Sequence, residues 1–271
     1  ERYSLSGAGT QTAGLVFGGY DSPSRRTLTE KYDGSSWTEV NDMSGARNEG
    51  SGAGIQTSAM MAAGRLAPAV TNNVELFDGT NWTETTEMNT ARDNLGSTGI
   101  GNTNTAVIIT SGNPPNTVVE QWNGSAWTEV NDLIVGRMLH AGIGTQNAAL
   151  AAAGYEHSPA AELNDTEEWN GDVWTVAADN NTARRKLAGG GTQNAGVAFG
   201  GCASPANLSA TEEWNGTSWS VGNSMGTARR NLGGAGSQSS AIAFAGSAPS
   251  VSNATEEYSV CGLKTVSIDG V

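Results

Sequence analysis

Thr211–Ser220 reads TEEWNGTSWS, two tryptophans five apart around an Asn-Gly. Four relatives of this stretch occur upstream: TEKYDGSSWT (29–38), VELFDGTNWT (74–83), VEQWNGSAWT (119–128) and TEEWNGDVWT (166–175). Asn-Gly and Asp-Gly tolerate positive φ and so favour a tight turn between two strands. A two-residue type I′ loop at Asn215 and Gly216 would place Trp214 and Trp219 diagonally; a four-residue loop would place them directly opposite. Both put the indoles on one face of a hairpin. An isolated hairpin is marginal in water, so each copy needs to be covered by other strands.

The repeat extends beyond the hairpin. Trp37, Trp82, Trp127, Trp174 and Trp219 are 45, 45, 47 and 45 residues apart, and an arginine follows each by ten (Arg47, Arg92, Arg137, Arg184, Arg229). Arg2 stands 45 residues before Arg47, so the first unit opens at the first residues. A Gly-rich segment follows the arginine, as in LSGAGTQ (5–11), LAGGGTQ (187–193) and LGGAGSQ (232–238). An apolar run closing on small residues comes next, as in AGLVFGG (13–19), AGVAFGG (195–201) and AIAFAG (241–246). Alternation within it (Leu15/Phe17, Val197/Phe199, Ile242/Phe244) has the period of a strand.

Each unit therefore reads as four antiparallel strands: Gly-rich a, apolar b, and the c–d hairpin. Four strands per ~40–50 residues is the pattern of a β-propeller blade. The expected fold is all-β, one six-bladed propeller over residues 1–271, with blades near 1–44, 45–89, 90–134, 135–181, 182–226 and 227–271. Its sixth strand d falls on LKTVSID (263–269), without the usual tryptophan. The 37 glycines sit at fixed places in the repeat, where innermost strands converging on an axis leave room only for Gly and Ala.

Composition narrows the function. A formal charge of −13 with few, dispersed Lys and Arg argues against a nucleic-acid partner. No apolar run reaches the ~18 residues of a membrane span, so no membrane insertion is expected. The chain starts at Glu1 without a signal-peptide pattern, which suggests a processed product or a piece of a longer polypeptide. Cys202 and Cys261 fall on neighbouring blades; a bond between them is open, and two buried thiols are the plainer reading. Sequons such as Asn215-Gly216-Thr217 lie in tight turns and read as incidental.

The glycines closing strand b, the aromatic ending c, the tryptophan on d and the arginine ten residues later resemble the kelch propeller repeat. The phrasing GAGTQTAGLVFGG and TEEWNGTSW is more closely similar to repeat proteins widespread in marine bacteriophages. That resemblance covers nearly the whole chain. It weakens in blade three, where Ile109-Thr110-Ser111 replaces Phe-Gly-Gly, and after Tyr258. It implies a tail-fibre or other virion component, located on the extracellular particle. The implied partners are other virion proteins, further copies of the chain, or host-surface glycan.

The b–c connections are the most varied segments: YDSPSRRTLT, RLAPAVTNN, NPPNTV, YEHSPAAELND, CASPANLSA and SAPSVSN. Loops vary without disturbing the ladders, so the face carrying them is the expected binding face. Blades one and four hold the side chains that depart most from small polar wording. Tyr20, Asp21, Arg25, Arg26, Tyr155, Glu156 and His157 are the expected ligand-binding residues, with aromatics to stack on sugars and charges to bond hydroxyls.

Other features read as structural. Glu30, Glu75, Glu120, Glu167, Glu212 and Glu256 recur two residues before each strand-c aromatic, so the arginine series is expected to form one ion pair per blade. His140 takes the place of Leu5, Leu187 and Leu232 and is expected to be packed. The two histidines lack metal-ligand spacing, no nucleophile elbow sits between a strand and a helix, and no cofactor, metal or catalytic residue is assigned. The expected function is a non-enzymatic binding module, with a sialidase- or lyase-like propeller acting on polysaccharide as the alternative.

Overall fold

A computed structural model describes residues 1–96, 100–113, 117–260 and 262–266. It contains six four-stranded antiparallel sheets, each built from consecutive strands in the order a-b-c-d. Blade one comprises Ser6–Thr10, Ala13–Phe17, Thr29–Tyr32 and Trp37–Val40. Blade four comprises Ala141–Thr145, Ala148–His157, Ala160–Trp169 and Trp174–Val176, and blade six runs from Gly233–Ser237 to Gly262–Val266. Strand a of each blade touches strand a of the next, and that of blade six touches that of blade one. The molecule is a closed six-bladed β-propeller, and no helix occurs among the described residues. This fold is consistent with a kelch-like repeat.

The core lies between the blades. Leu15 and Phe17 pack with Met61 and Phe77 of blade two, whereas Val16 packs with Ile242 and Phe244 of blade six. Strand b is buried on both faces, which is why it reads as an unbroken apolar run. Close approach explains the glycines of strand a: a Cβ on Gly7 would lie 2.3 Å from the Phe244 ring.

The hairpin turn is the four-residue form. Trp214 pairs with Trp219, and Asn215 N–H donates to the Ser218 carbonyl. Asn215 Oδ1 accepts from the amides of Thr217 (3.0 Å) and Ser218 (2.9 Å), and Gly216 takes φ +93°. The side-chain cap selects this turn over the type I′ alternative. The indoles of the Trp122/Trp127, Trp169/Trp174 and Trp214/Trp219 pairs then sit 5.3–5.4 Å apart, centroid to centroid.

An amide at each a–b turn ties its blade to the one before. Gln146 Nε2 donates to the carbonyls of Val107 (3.3 Å) and Trp122 (2.7 Å); Gln193 and Gln238 repeat this on Trp169 and Trp214. Gln11 closes the ring, reaching Ala241 O at 3.2 Å and Tyr258 O at 3.1 Å in blade six. Trp37 Nε1 donates to Thr255 Oγ1 across the same junction at 3.1 Å. No strand is exchanged between blades one and six among the described residues, so side-chain and loop contacts fasten the ring there.

Candidate binding face

The geometry of the b–c face begins with the six arginines. Arg2, Arg47, Arg92, Arg137, Arg184 and Arg229 pair with Glu30, Glu75, Glu120, Glu167, Glu212 and Glu256 at 2.6–3.2 Å. Five pairs are almost wholly buried; Glu30 keeps 38% of its side chain exposed. In blades two to six the guanidinium also reaches the backbone where strands b and c diverge. Arg92 Nη1 donates to Ser111 O and Val118 O, and Arg229 Nη1 to Ala245 O and Ala254 O. The glutamate accepts from the incoming d–a connection, as Glu120 does from Asn89 N at 2.7 Å. In blades two to six these groups are consumed in joining three segments of the chain.

Beyond these pairs strands b and c lead into a shared bend. Gly18-Gly19, Ala63-Gly64, Ser111-Gly112, Ala153-Gly154, Gly200-Gly201 and Ala245-Gly246 all take positive φ, which bends the chain. In blades one, two, four and five a short hairpin arm continues past the bend, turning over cis Ser22-Pro23, Ala67-Pro68, Ser158-Pro159 and Ser204-Pro205. The connections that looked unlike one another therefore share one backbone form in four blades, and vary in side chains.

The expected binding residues fall on two of these arms. In blade one, Tyr20 pairs with Arg25 and Asp21 with Ser24. Arg26 Nη2 lies 2.6 Å from Asp21 Oδ2, and this pairing holds the Asp21 carboxyl below its usual range. Arg25 lies 6.0 Å from the centre of the Tyr20 ring and donates to Asn48 Oδ1 at 2.9 Å. In blade four, Tyr155 faces Glu162, Glu156 faces Ala161 and His157 faces Ala160. The Arg185 guanidinium stacks 4.3 Å from the Tyr155 ring centre. The structure thus gathers Tyr20, Asp21, Arg25 and Arg26 in one group and Tyr155, Glu156 and His157 in another. The two groups occupy opposite blades of the ring.

A set of residues between the two arms escaped the sequence reading. Ser4, Glu49, Asn94, Leu139, Lys186 and Asn231 each sit two places after a repeat arginine with φ between +52° and +61°. They are linked around the axis by backbone hydrogen bonds: Glu49 N to Ser4 O, Leu139 N to Asn94 O, Lys186 N to Leu139 O, Asn231 N to Lys186 O, and Ser4 N to Asn231 O. The ring edges a pocket of ≈ 30 Å³ floored by Leu5, Leu95, Leu187 and Leu232. Their signal was present: the dipeptides after the arginine run YS, NE, DN, ML, RK and RN, the only non-repeating pair in an otherwise repeating segment.

This mouth is polar and electrically uneven. Glu49 and Asp93 stand on the side of blades two and three, where Arg65 lies 3.6 Å from Glu49 and 2.6 Å from Asp93. Burial, reinforced by the Asp93 charge, pushes the Glu49 carboxyl up. Arg185, Lys186 and Arg230 stand on the side of blades five and six, and burial lowers the Lys186 ammonium. Below the ring His140 is fully buried, its Nε2 2.7 Å from Thr110 Oγ1, and burial with the nearby Arg137 and Arg92 pushes it down to about 3. Cys202 is a buried thiol, while Cys261, its conceivable partner, lies outside the described residues, as do the last residues of the sixth strand d. Among the described residues no cluster of three or more His, Cys, Asp or Glu is placed to hold a metal.

A scan against protein-family models matches none, and a search of the curated proteins finds no match.

Proposed function

We propose that the chain is a non-enzymatic binding module of a phage virion, and that it recognises host-surface glycan through the b–c face. The observation that carries the reading is the separation of constant from varying side chains. The arginine–glutamate pairs, the cross-blade glutamines and the tryptophan pairs repeat blade after blade. The arms and the axis ring reuse one backbone with different side chains, and they occupy one face. A rigid frame that varies only at one face presents contacts at low entropic cost. Tyr20 and Tyr155 are half-buried rings held by neighbouring arginines, a form suited to stacking on sugar. The particle setting rests on the resemblance of the repeat wording to phage virion proteins.

The test is attachment of the purified protein to host cells and to an array of their surface glycans. Tyr20→Ala and Tyr155→Ala should each weaken binding by about tenfold or more without changing the melting temperature. Unchanged attachment of both variants would remove these arms from the binding surface.

Glycan cleavage is a second reading with one observation in its favour: Glu49, its carboxyl raised, stands beside Asp93 at the axis. Two neighbouring carboxyls in unlike surroundings are the pattern of an acid–base pair. Arg65 engages both, which suits a structural cluster better. Release of new reducing ends from host polysaccharide, lost in Glu49→Gln, would favour cleavage.

A further inference from the structure

We propose that the mouth of the axis is a subsite for the anionic group of an acidic saccharide, held between Lys186 and Arg230. This rests on the b–c face being the binding face.

Cations gather on one side of the mouth. The two positions after the repeat arginine carry no cation in the first four repeats and three in the last two, Arg185, Lys186 and Arg230. The acids on the facing side are already answered, since Arg65 reaches both Glu49 and Asp93. Arg185 has Glu162 at 3.5 Å and stacks on Tyr155. Lys186 and Arg230 make no ion pair among the described residues. Both are half-buried. Beside burial, the charges of Arg230 and Arg185 oppose that of Lys186 more strongly than Glu49, across the mouth, favours it. Like charges gathered in a partly desolvated place cost free energy that an anion would recover. In a chain of net charge −13, nothing forces cations together here.

The surroundings narrow the anion to one attached to a sugar. Arg presents a flat fork that matches a carboxylate or sulfate, and Lys adds a point charge. Asn231 follows Lys186 on the ring, and Ser4 and Asn94 supply further amide and hydroxyl groups for sugar hydroxyls. The five backbone bonds around the axis hold these groups before a ligand arrives, which lowers the ordering cost of binding.

The repeats themselves supply safe substitutions. Asn94 and Asn231 occupy the place of Lys186 at positive φ, and Asn48 occupies the place of Arg230. The double variant Lys186→Asn/Arg230→Asn should fold, with an unchanged melting temperature as the check. Calorimetric titration would compare a hexuronic-acid oligosaccharide, its carboxyl-reduced neutral counterpart, and a sulfated oligosaccharide. The parent should bind at least one charged probe about tenfold or more tighter than the neutral one, with affinity falling as salt rises. The double variant should lose that preference. Preference for uronate or for sulfate would identify which anion the site takes. Equal affinity for charged and neutral probes, retention of the preference by the double variant, or no binding of any probe would overturn the inference. Failure of the broader reading shows separately, as attachment to cells that survives Tyr20→Ala and Tyr155→Ala.

Discussion

Arg92 shows how the repeat uses one residue. Its guanidinium satisfies Glu120 and two backbone carbonyls at the point where strands b and c part, with no exposed surface on either partner. Removing one side of a buried pair leaves the other charge uncompensated, so Arg92→Met should destabilise the fold by about 3–5 kcal/mol, read from denaturant midpoints. An unchanged melting temperature with lost ligand binding would show that Arg92 serves a ligand instead. His140 offers a pH test. It titrates near 6.5 when unfolded and at about 3 in the fold. Above the unfolded value it adds no pH dependence. As pH falls towards the folded value, the unfolded chain takes up a proton that the native state refuses, and stability drops. Between pH 7.5 and 5 this amounts to about 2 kcal/mol, which His140→Leu should lack. Identical pH dependence in parent and variant would contradict the buried, neutral imidazole. Both roles were legible, because recurrence of Arg with Glu and the alignment of His140 with leucines appear in the sequence. The axis ring was not, since its mark is a backbone at positive φ shared by Ser, Glu, Asn, Leu and Lys.

At the scale of the element, strand d docks on the preceding blade through its tryptophan. Trp82 Nε1 donates to Thr29 Oγ1, Trp219 to Thr166 and Trp37 to Thr255, at 2.9–3.1 Å. Where the threonine is replaced by Val119, the indole N–H of Trp174 is left without a partner. Where the tryptophan is replaced by Leu263, the mirror loss falls on Thr211 Oγ1. Restoring the acceptor by Val119→Thr should raise stability by about 0.5–1.5 kcal/mol, measured by chemical denaturation. A loss of stability would mean that strand d of blade four does not follow its siblings. The strands and their order were readable from period and spacing. The turn between c and d was not decided, because Asn-Gly suits two loop lengths and the Asn215 side chain selects the longer. The b–c arms were hidden for the opposite reason: their side chains differ, while the shared Pro23, Pro68, Pro159 and Pro205 carry the common form.

For the whole molecule, closure and recognition are separate matters. The ring is fastened between blades one and six by Gln11, Trp37 and the Ser4–Asn231 link, which lie on the a–b turn, strand d and the axis. The arms of blades one and four lie beyond the bends at Gly18-Gly19 and Ala153-Gly154 and contribute nothing to that closure. Six blades were countable from the spacing of one tryptophan, whereas the face that binds could be argued only from where repetition stops. The most direct test replaces both arms by the shorter connection of blade three, then measures attachment to host cells beside the melting temperature. The account predicts a ring that melts within a few degrees of the parent and no longer attaches. A shortened protein that attaches as well as the parent would contradict it.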